Sequence, residues 1–398
     1  MNFGRADKLM PQEEMLEVSK SREKLSIGIP KEISAQEKRI ALVPNAVGQI
    51  VQQGHEVLIE SEAGLSAHFS DHDYSEEGGR IVHTAEEVYR AEIVLKVSPL
   101  SENELDLLRD RQCIISSLQL TSQNKNFFRK QIEKKITALA FEYIKDKSGS
   151  FPVLLSMSEI VGKSAILIAG EYQCSGEYGK GNMLGGFPGI TPSEVVVIGA
   201  GTVGLYAART AACLGCNVKV FDNNIYKLRR IQKEAGTAVY TSILQPKILA
   251  MALKTADVVI GALYSEEGIT DCIVTEDMVR QMKSGSLIID VSIDQGGCFE
   301  TSDLTSHRNP VFKKYDVTHY CVPNIASKYP HTASYALSNF LTPVIINIGE
   351  EGGIKNMLKN DYGISRGVYM FNGTLTKKHI SRMYDLPFQD LDLLMAAF

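Results

Sequence analysis

Short apolar runs along this chain alternate with longer stretches in which apolar residues return every third or fourth position, the first pattern marking buried strands and the second helices. From Leu25 the rhythm is regular. Leu25 to Ile29 reads as a strand, Asn45 to Gln53 as a helix stopped by Gly54, and Glu56 to Ile59 as a second strand. Ile93–Val97, Cys113–Leu118 and Thr137–Phe141 repeat the strand signal with helical patterns between them, which predicts a parallel sheet covered on both faces. A long helix is expected over Ser156 to Glu171, followed by a glycine-rich loop from Gly176 to Thr191. Strands are then expected at Val195–Ile198, Asn217–Phe221, Thr237–Tyr240, Val258–Ile260 and Leu287–Asp290, and a second long helix over Ala333 to Ile348. Gly352 to Phe398 reads as helical with no strong strand pattern. Residues 1 to 24 are polar, with a plausible helix start at Pro11-Gln12-Glu13-Glu14, and read as an extension.

One stretch orders the rest. Val195-Val196-Val197-Ile198 is followed by Gly199-Ala200-Gly201-Thr202-Val203-Gly204 and then by a small-residue helix, the strand, tight turn and helix of a G-x-G-x-x-G unit. The first glycine lets the chain reverse, the second lets backbone N–H groups approach a pyrophosphate, and the third lets helix and strand pack closely. Gly199, Gly201, Thr202, Val203 and Gly204 are therefore candidate cofactor contacts. Asp222 ends the next strand, eighteen residues past Gly204, where an acid accepts hydrogen bonds from ribose hydroxyls and repels a 2′-phosphate. The expected cofactor is NAD rather than NADP. The whole pattern predicts an α/β fold, with two doubly wound Rossmann-like domains, an inter-domain cleft and two long linking helices. Residues 25–155 and 331–398 would form a substrate domain and residues 156–330 an NAD-binding domain. Small ligands bind in such clefts, at the carboxyl ends of parallel strands.

Composition narrows the class. With 398 residues, 44% hydrophobic and 22% charged, the chain is an ordinary globular one, and its net charge of −5 with no basic block argues against a nucleic-acid surface. No apolar run of membrane-spanning length stands out, so a cytoplasmic protein without a membrane partner is expected. Seven scattered cysteines suit reduced thiols, and Cys213-x-x-Cys216 sits on the last turn of the dinucleotide helix, a place for small core residues. The eight histidines show no metal-ligand spacing, so no metal is expected.

Several charged residues fall at predicted strand ends. Arg39 precedes the run Ile40-Ala41-Leu42-Val43-Pro44 and either clamps a substrate carboxylate in bidentate fashion or belongs to an ion pair. Lys96 follows Ile93-Val94-Leu95, where lysine is expensive without a partner; it either snorkels to water or serves a site. Asp290 and Asp294 flank Val291-Ser292-Ile293 ahead of Gln295-Gly296-Gly297, and either faces the nicotinamide region or acts as a turn acid.

Ile29-Pro30-Lys31-Glu32, Lys38 to Pro44, Gly54 to Leu58, Leu95-Lys96-Val97, Met157-Ser158-Glu159, Gly185 to Gly189, Asp290 to Glu300, Val322-Pro323-Asn324 and Thr332 to Asn339 come in an order that resembles the alanine dehydrogenase family. The NAD-binding part of proton-translocating transhydrogenase is a related member. The resemblance implies reversible NAD-dependent oxidative deamination of alanine to pyruvate and ammonia, by a homo-oligomer, either a dimer or a hexamer. It implies that Arg39 and Lys96 hold the substrate carboxylate and carbonyl. Asp294 would be the acid/base carboxylate near the nicotinamide, Ser158 would touch the cofactor, and Met157 and Asn324 would line the pocket. Gln119 takes the place of the family's catalytic histidine, and an amide cannot shuttle a proton near neutral pH. That departure leaves a second expectation open: a transhydrogenase-like or regulatory NAD-binding protein without alanine turnover.

Overall fold

The computed structural model describes residues 23–236, 238–265 and 270–396. The expected helix start at Pro11 lies outside the described residues, as does Thr237. In chain order the strands are β1 (Ser26–Ile29), β2 (Glu56–Glu60), β3 (Arg80–Val82), β4 (Ile93–Leu95), β5 (Cys113–Ser116), β6 (Thr137–Ala140), β7 (Glu194–Ile198) and β8 (Asn217–Phe221). They continue as β9 (Tyr240–Ser242), β10 (Val258–Gly261), β11 (Leu287–Asp290), β12 (Val311–Lys314), β13 (Val317–Tyr320), β14 (Val368–Phe371) and β15 (Thr374–Leu375).

These strands make two α/β sheets. The first runs β15-β14-β6-β5-β4-β1-β2-β3 and the second β12-β13-β11-β10-β7-β8-β9. All neighbours are parallel except where β14, β15 and β12 join antiparallel. Strands buried on both faces have no polar alternation, and along each the two faces feed different cores. Val195 and Val197 enter one cluster while Val196 and Ile198 enter another. Ile93 and Leu95 face one way and Val94 the other.

Each sheet reverses its strand order once, between β1 and β4 and again between β7 and β10. Such reversal points open a crevice beyond the strand ends.

Two long helices join the sheets, Pro152–Gln173 and Pro330–Glu350, each with proline where the first turn lacks an N–H partner anyway. The first packs on the dinucleotide helix Thr202–Cys213 at Gly162, where a Cβ would lie 2.5 Å from the Val203 carbonyl oxygen. The second sends Leu337, Leu341, Ile345 and Ile348 into the core of the first sheet.

The structure departs from the sequence reading in three places. The tail holds β14 and β15, which extend the first sheet, although Gly352 to Phe398 was expected to lack strands. The signal was present, since Asn372-Gly373 takes φ of 46° and 77°, the two-residue hairpin turn that this pair favours. The strand expected at Thr237–Tyr240 instead begins at Tyr240. The helix Pro152–Gln173, with mean hydropathy 1.6 in its most apolar window, is long and apolar enough to cross a membrane, contrary to the sequence reading, but it carries Glu159, Lys163 and Glu171 and packs on its neighbours.

Candidate active site

At the second sheet's reversal point the glycine turn is built as its chemistry requires. Gly199 has φ of 108° and a Cβ there would stand 2.3 Å from the Ala262 carbonyl oxygen. A Cβ on Gly204 would meet the Gly199 oxygen at 1.9 Å, so this glycine sets the closeness of helix to strand. Gly201 differs. It is the residue before Thr202 and Val203, and among the described residues nothing lies within 4 Å of its Cβ position. That space, beside the first N–H groups of a helix, fits an approaching pyrophosphate. Asp222, at the end of β8, accepts the Ala200 N–H at 2.7 Å and the Asn224 N–H at 2.6 Å, which ties the turn to the next strand. Asn224 in turn caps the helix Ile225–Glu234.

The first sheet's reversal point is made of charge instead. Lys96, one residue past β4, is buried, and its ammonium lies 2.7 Å from Glu104 Oε1 and 3.5 Å from Glu32 Oε2. Lysine so placed neither snorkels nor stands alone. Glu104 reaches it from the first turn of the helix Glu102–Leu107, where Ser101 and Glu104 form a reciprocal cap. Burial works to push the Glu104 carboxyl up, but Lys96 and the Ser101 donors hold it below its usual range. Glu32, three residues past β1, accepts the Val97 N–H at 2.7 Å and the Ser98 hydroxyl. Here burial outweighs the Lys96 charge, and the carboxyl is raised.

Arg39 is buried on the segment between β1 and the helix Pro44–Gln52. Its Nε and Nη2 donate to the two oxygens of Glu37 at 2.7 and 2.6 Å, and Nη1 points at the Met157 sulfur 3.4 Å away. The arginine is thus in an ion pair, with the Nη1 edge meeting a thioether. Two serines one helical turn apart fix its backbone: Ser334 accepts the Ile40 N–H and Ser338 the Val43 N–H, both at 2.9 Å. Asn324, in the left-handed region at φ 54°, donates from Nδ2 to Glu37 at 3.0 Å and from its backbone N–H to Asp294.

The two aspartates separate. Asp290 is fully buried and accepts the Ser292 and Cys298 N–H groups at 3.0 Å and the Ser302 hydroxyl at 2.7 Å, which makes it the turn acid. Asp294 keeps an accessible surface but stands among enough protein atoms that its carboxyl is pushed up to about 6, against the pull of the Asn324 N–H and the Arg39 charge. Ser158 follows Met157 on the same helix and is half-buried.

Gln119 meets a different carboxylate, Glu142. It is exposed at φ 44°, with Nε2 3.4 Å from Ser117 Oγ and its N–H directed at Glu142 Oε1. It lines a cavity of about 490 Å³ together with Ser98, Ser101, Ser122, Gln123 and Asn124. Contact or mutual charge links Arg39 with Met157, Asn324 through Glu37, and Asp294, and Lys96 joins them through Glu32, whose charge Arg39 also senses. Glu32, Glu37 and Glu104 had no assigned role in the sequence reading. Only Glu104 carried a local signal, the Ser101-x-x-Glu104 spacing before Leu105. Among the described residues no cluster of His, Cys, Asp or Glu could hold a metal ion.

The chain is similar to known proteins along most of its length. Residues 28–161 match the family model for the alanine dehydrogenase/PNT N-terminal domain, and residues 165–378 match that for the C-terminal domain. The chain is 37% identical to an alanine dehydrogenase of Mycolicibacterium smegmatis over 92% of its own length and 98% of that protein. It is 36% identical to an alanine dehydrogenase of Methanococcus maripaludis over 91% and 97%. A solved structure of an L-alanine dehydrogenase superposes with a TM-score of 0.85 at 32% identity, covering 91% of this chain and 99% of that one. A transhydrogenase from Sinorhizobium meliloti, 21% identical, shares the fold with a TM-score of 0.76 over 89% of this chain and 99% of that one.

Proposed function

Because the chain belongs to the alanine dehydrogenase/PNT family, we propose that it interconverts L-alanine, or a similar small amino acid, with pyruvate or the matching 2-oxo acid and ammonia, using NAD. Gly199, Gly201, Thr202, Val203 and Gly204 would hold NAD at the glycine turn, where it would supply hydride-accepting chemistry. The protein's residues do the remainder. Arg39 offers its Nη1 edge to the substrate carboxylate while Glu37 fixes the plane of the guanidinium. Lys96 polarises the oxygen at Cα, and Glu104, 2.7 Å from its ammonium, holds it in place. Asp294, with a carboxyl near 6, takes and returns protons close to neutral pH. Met157 and Asn324 wall the pocket, and Ser158 with Gly199, Gly201, Thr202, Val203, Gly204 and Asp222 receives the cofactor. We assign the substrate lobe to residues 25–155 with 331–398 and the NAD lobe to 156–330, and we place the enzyme in the cytoplasm as a homo-oligomer.

The observation that carries this reading is that Asn324 joins the two charged groups, donating from Nδ2 at 3.0 Å to Glu37, the ion-pair partner of Arg39, and from its backbone N–H to Asp294. Oxidation of NADH in the presence of pyruvate and ammonium tests it, followed by a panel of other 2-oxo acids. Silence across the panel in protein shown to bind NADH removes the reading. Gln119 alone favours the second one, an NAD-binding protein without alanine turnover. If Gln119→His creates alanine turnover where the native chain has none, that second reading stands.

A further inference from the structure

Asn324 sits where the proposed clamp and the proposed acid/base carboxylate meet, and it does so with φ 54° and ψ 48°. A residue other than glycine keeps that left-handed conformation only where its surroundings hold it. Its polar groups have separate partners. Nδ2 donates to Glu37 at 3.0 Å, the backbone N–H donates to Asp294, and the carbonyl oxygen accepts the Ser327 N–H at 2.9 Å. That oxygen has a second lone pair, and His307 Nε2 lies 3.3 Å from it.

His307 stands on the loop that leads into β12, and this loop is tied down on both sides of the ring. Thr305 donates its N–H to the Cys321 carbonyl just past β13 at 3.0 Å and its hydroxyl to the Pro310 carbonyl at 3.1 Å. Ser306 Oγ accepts the Asn309 N–H at 3.2 Å, closing a turn around the histidine. The loop also reaches the segment that carries Arg39. The His307 N–H donates to Gln36 Oε1 at 3.1 Å, and the Gln36 carbonyl lies 3.5 Å from Asn324 Nδ2. Lys38 completes the seam by donating its N–H to Ser327 Oγ at 2.8 Å. Because a carbonyl can only accept, the proton of the neutral ring must be on Nε2. Burial, with Lys38 and Lys328 beside it, lowers the ring against the pull of the Asn324 carbonyl and Glu37, which favours that neutral form.

We propose that His307 is a positioning residue for the reaction: its Nε2–H holds Asn324 in the left-handed region, and Asn324 in turn holds Glu37 beneath Arg39 and the Asp294 carboxyl beside them. The proposal rests on the alanine dehydrogenase reading. In this role the ring moves no proton. Without the Nε2–H bond Asn324 is free to leave its conformation, and its two donors leave with it. Glu37 then keeps Ser327 Oγ, 3.4 Å away, but loses the amide, so the plane of the guanidinium loosens. Asp294 loses the N–H that favours its anion, while Arg39 and Asp290 still face it, so its carboxyl titrates higher.

The test uses full-length protein with NAD bound. His307→Phe fills the space without a donor; His307→Gln sets an amide Nε2 the same number of bonds from Cα. The phenylalanine variant is expected to raise the KM for alanine about 5- to 10-fold, with kcat well above the Asp294 limb little changed. It should also move that limb upward by about one unit. His307→Gln restores both. Ser306→Ala, which opens the turn and leaves the ring bond alone, is expected to lower the melting temperature without moving the limb. Infrared difference spectra across pH, with the Asp294 band identified as the one that Asp294→Asn removes, read the same titration without turnover. The assignment is overturned if His307→Phe, or Gln36→Met where the phenylalanine variant does not fold, leaves both the KM and the limb as they were. It is equally overturned if His307→Gln departs from the native protein as far as His307→Phe does. Absence of alanine turnover in the native chain would instead remove the function reading, and the infrared titration of Asp294 would still decide the role of His307.

Discussion

The two sheets reverse their strand order in the same way and yet furnish their crevices with opposite materials. The second presents backbone: a turn whose Gly199 and Gly204 are sealed against carbonyl oxygens while Gly201 is left open. The first presents buried side-chain charge, with Lys96 between Glu104 and Glu32 and Arg39 on Glu37. A phosphate group needs only oriented N–H groups, which any sequence supplies once glycine lets it come near. A small carboxylate with a reacting centre needs charges held to a fraction of an ångström, and these must be paired before the substrate arrives.

That contrast can be broken by substitution. Lys96→Met should do the most damage, because Glu32 and Glu104 would be left facing each other without a cation. Unfolding in urea should show a loss of about 3–5 kcal/mol together with loss of turnover. Adding Glu104→Gln should recover part of the stability and none of the activity.

Asp294→Asn should reduce kcat about 10²–10⁴-fold and remove the limb by which alanine oxidation rises with pH through about 6. Its effect on stability has the opposite sign. A carboxyl raised in the folded chain binds its proton more tightly there than when unfolded, so its contribution favours the fold at low pH and is lost as pH rises through about 6. The variant should therefore melt at the same or a higher temperature at pH 8. His319 on β13 of the second sheet shows the converse: burial lowers it to about 4, so the stability it permits is present above its ordinary value of 6.5 and is lost as pH falls toward 4. Acid should thus loosen the second lobe through His319, and His319→Gln should flatten the melting temperature between pH 6.5 and 4.

The glycine positions give the smallest and most discriminating effects. Gly204→Ala places a carbon 1.9 Å from a carbonyl oxygen and should cost about 1–3 kcal/mol as well as NADH binding. Gly201→Ala meets nothing among the described residues, so it should leave the melting temperature in place and weaken NADH binding alone, which fluorescence titration would detect.

The same contrast explains what could be read from the sequence. The glycine turn, Asp222 and the strands around them are local, because a strand, its turn and its helix are contiguous and each glycine answers to a near neighbour. Arg39, Lys96 and Asp294 were legible as charges at strand ends and through a family resemblance, but not their partners. Glu37 pairs with Arg39 two residues away yet is held by Asn324, and Glu32 meets Lys96 only because β1 and β4 are neighbours in the sheet. Spacing along a chain does not report strand adjacency. The Asn372-Gly373 hairpin was legible and overlooked, since Val368-Tyr369-Met370-Phe371 is too short to separate strand from helix by period.

The hydroxyls of Ser334 and Ser338 have an evolutionary corollary. They fasten the Ile40 and Val43 amides to a helix 294 and 295 residues further on, so the guanidinium of Arg39 takes its coordinates from that distant helix more than from the loop that leads to it. Lineages are therefore free to lengthen, shorten or redecorate the exposed residues around Ile33 and Ser34, and with them the cavity rim, while the clamp stays in register. The rim can drift at a pace the clamp does not share.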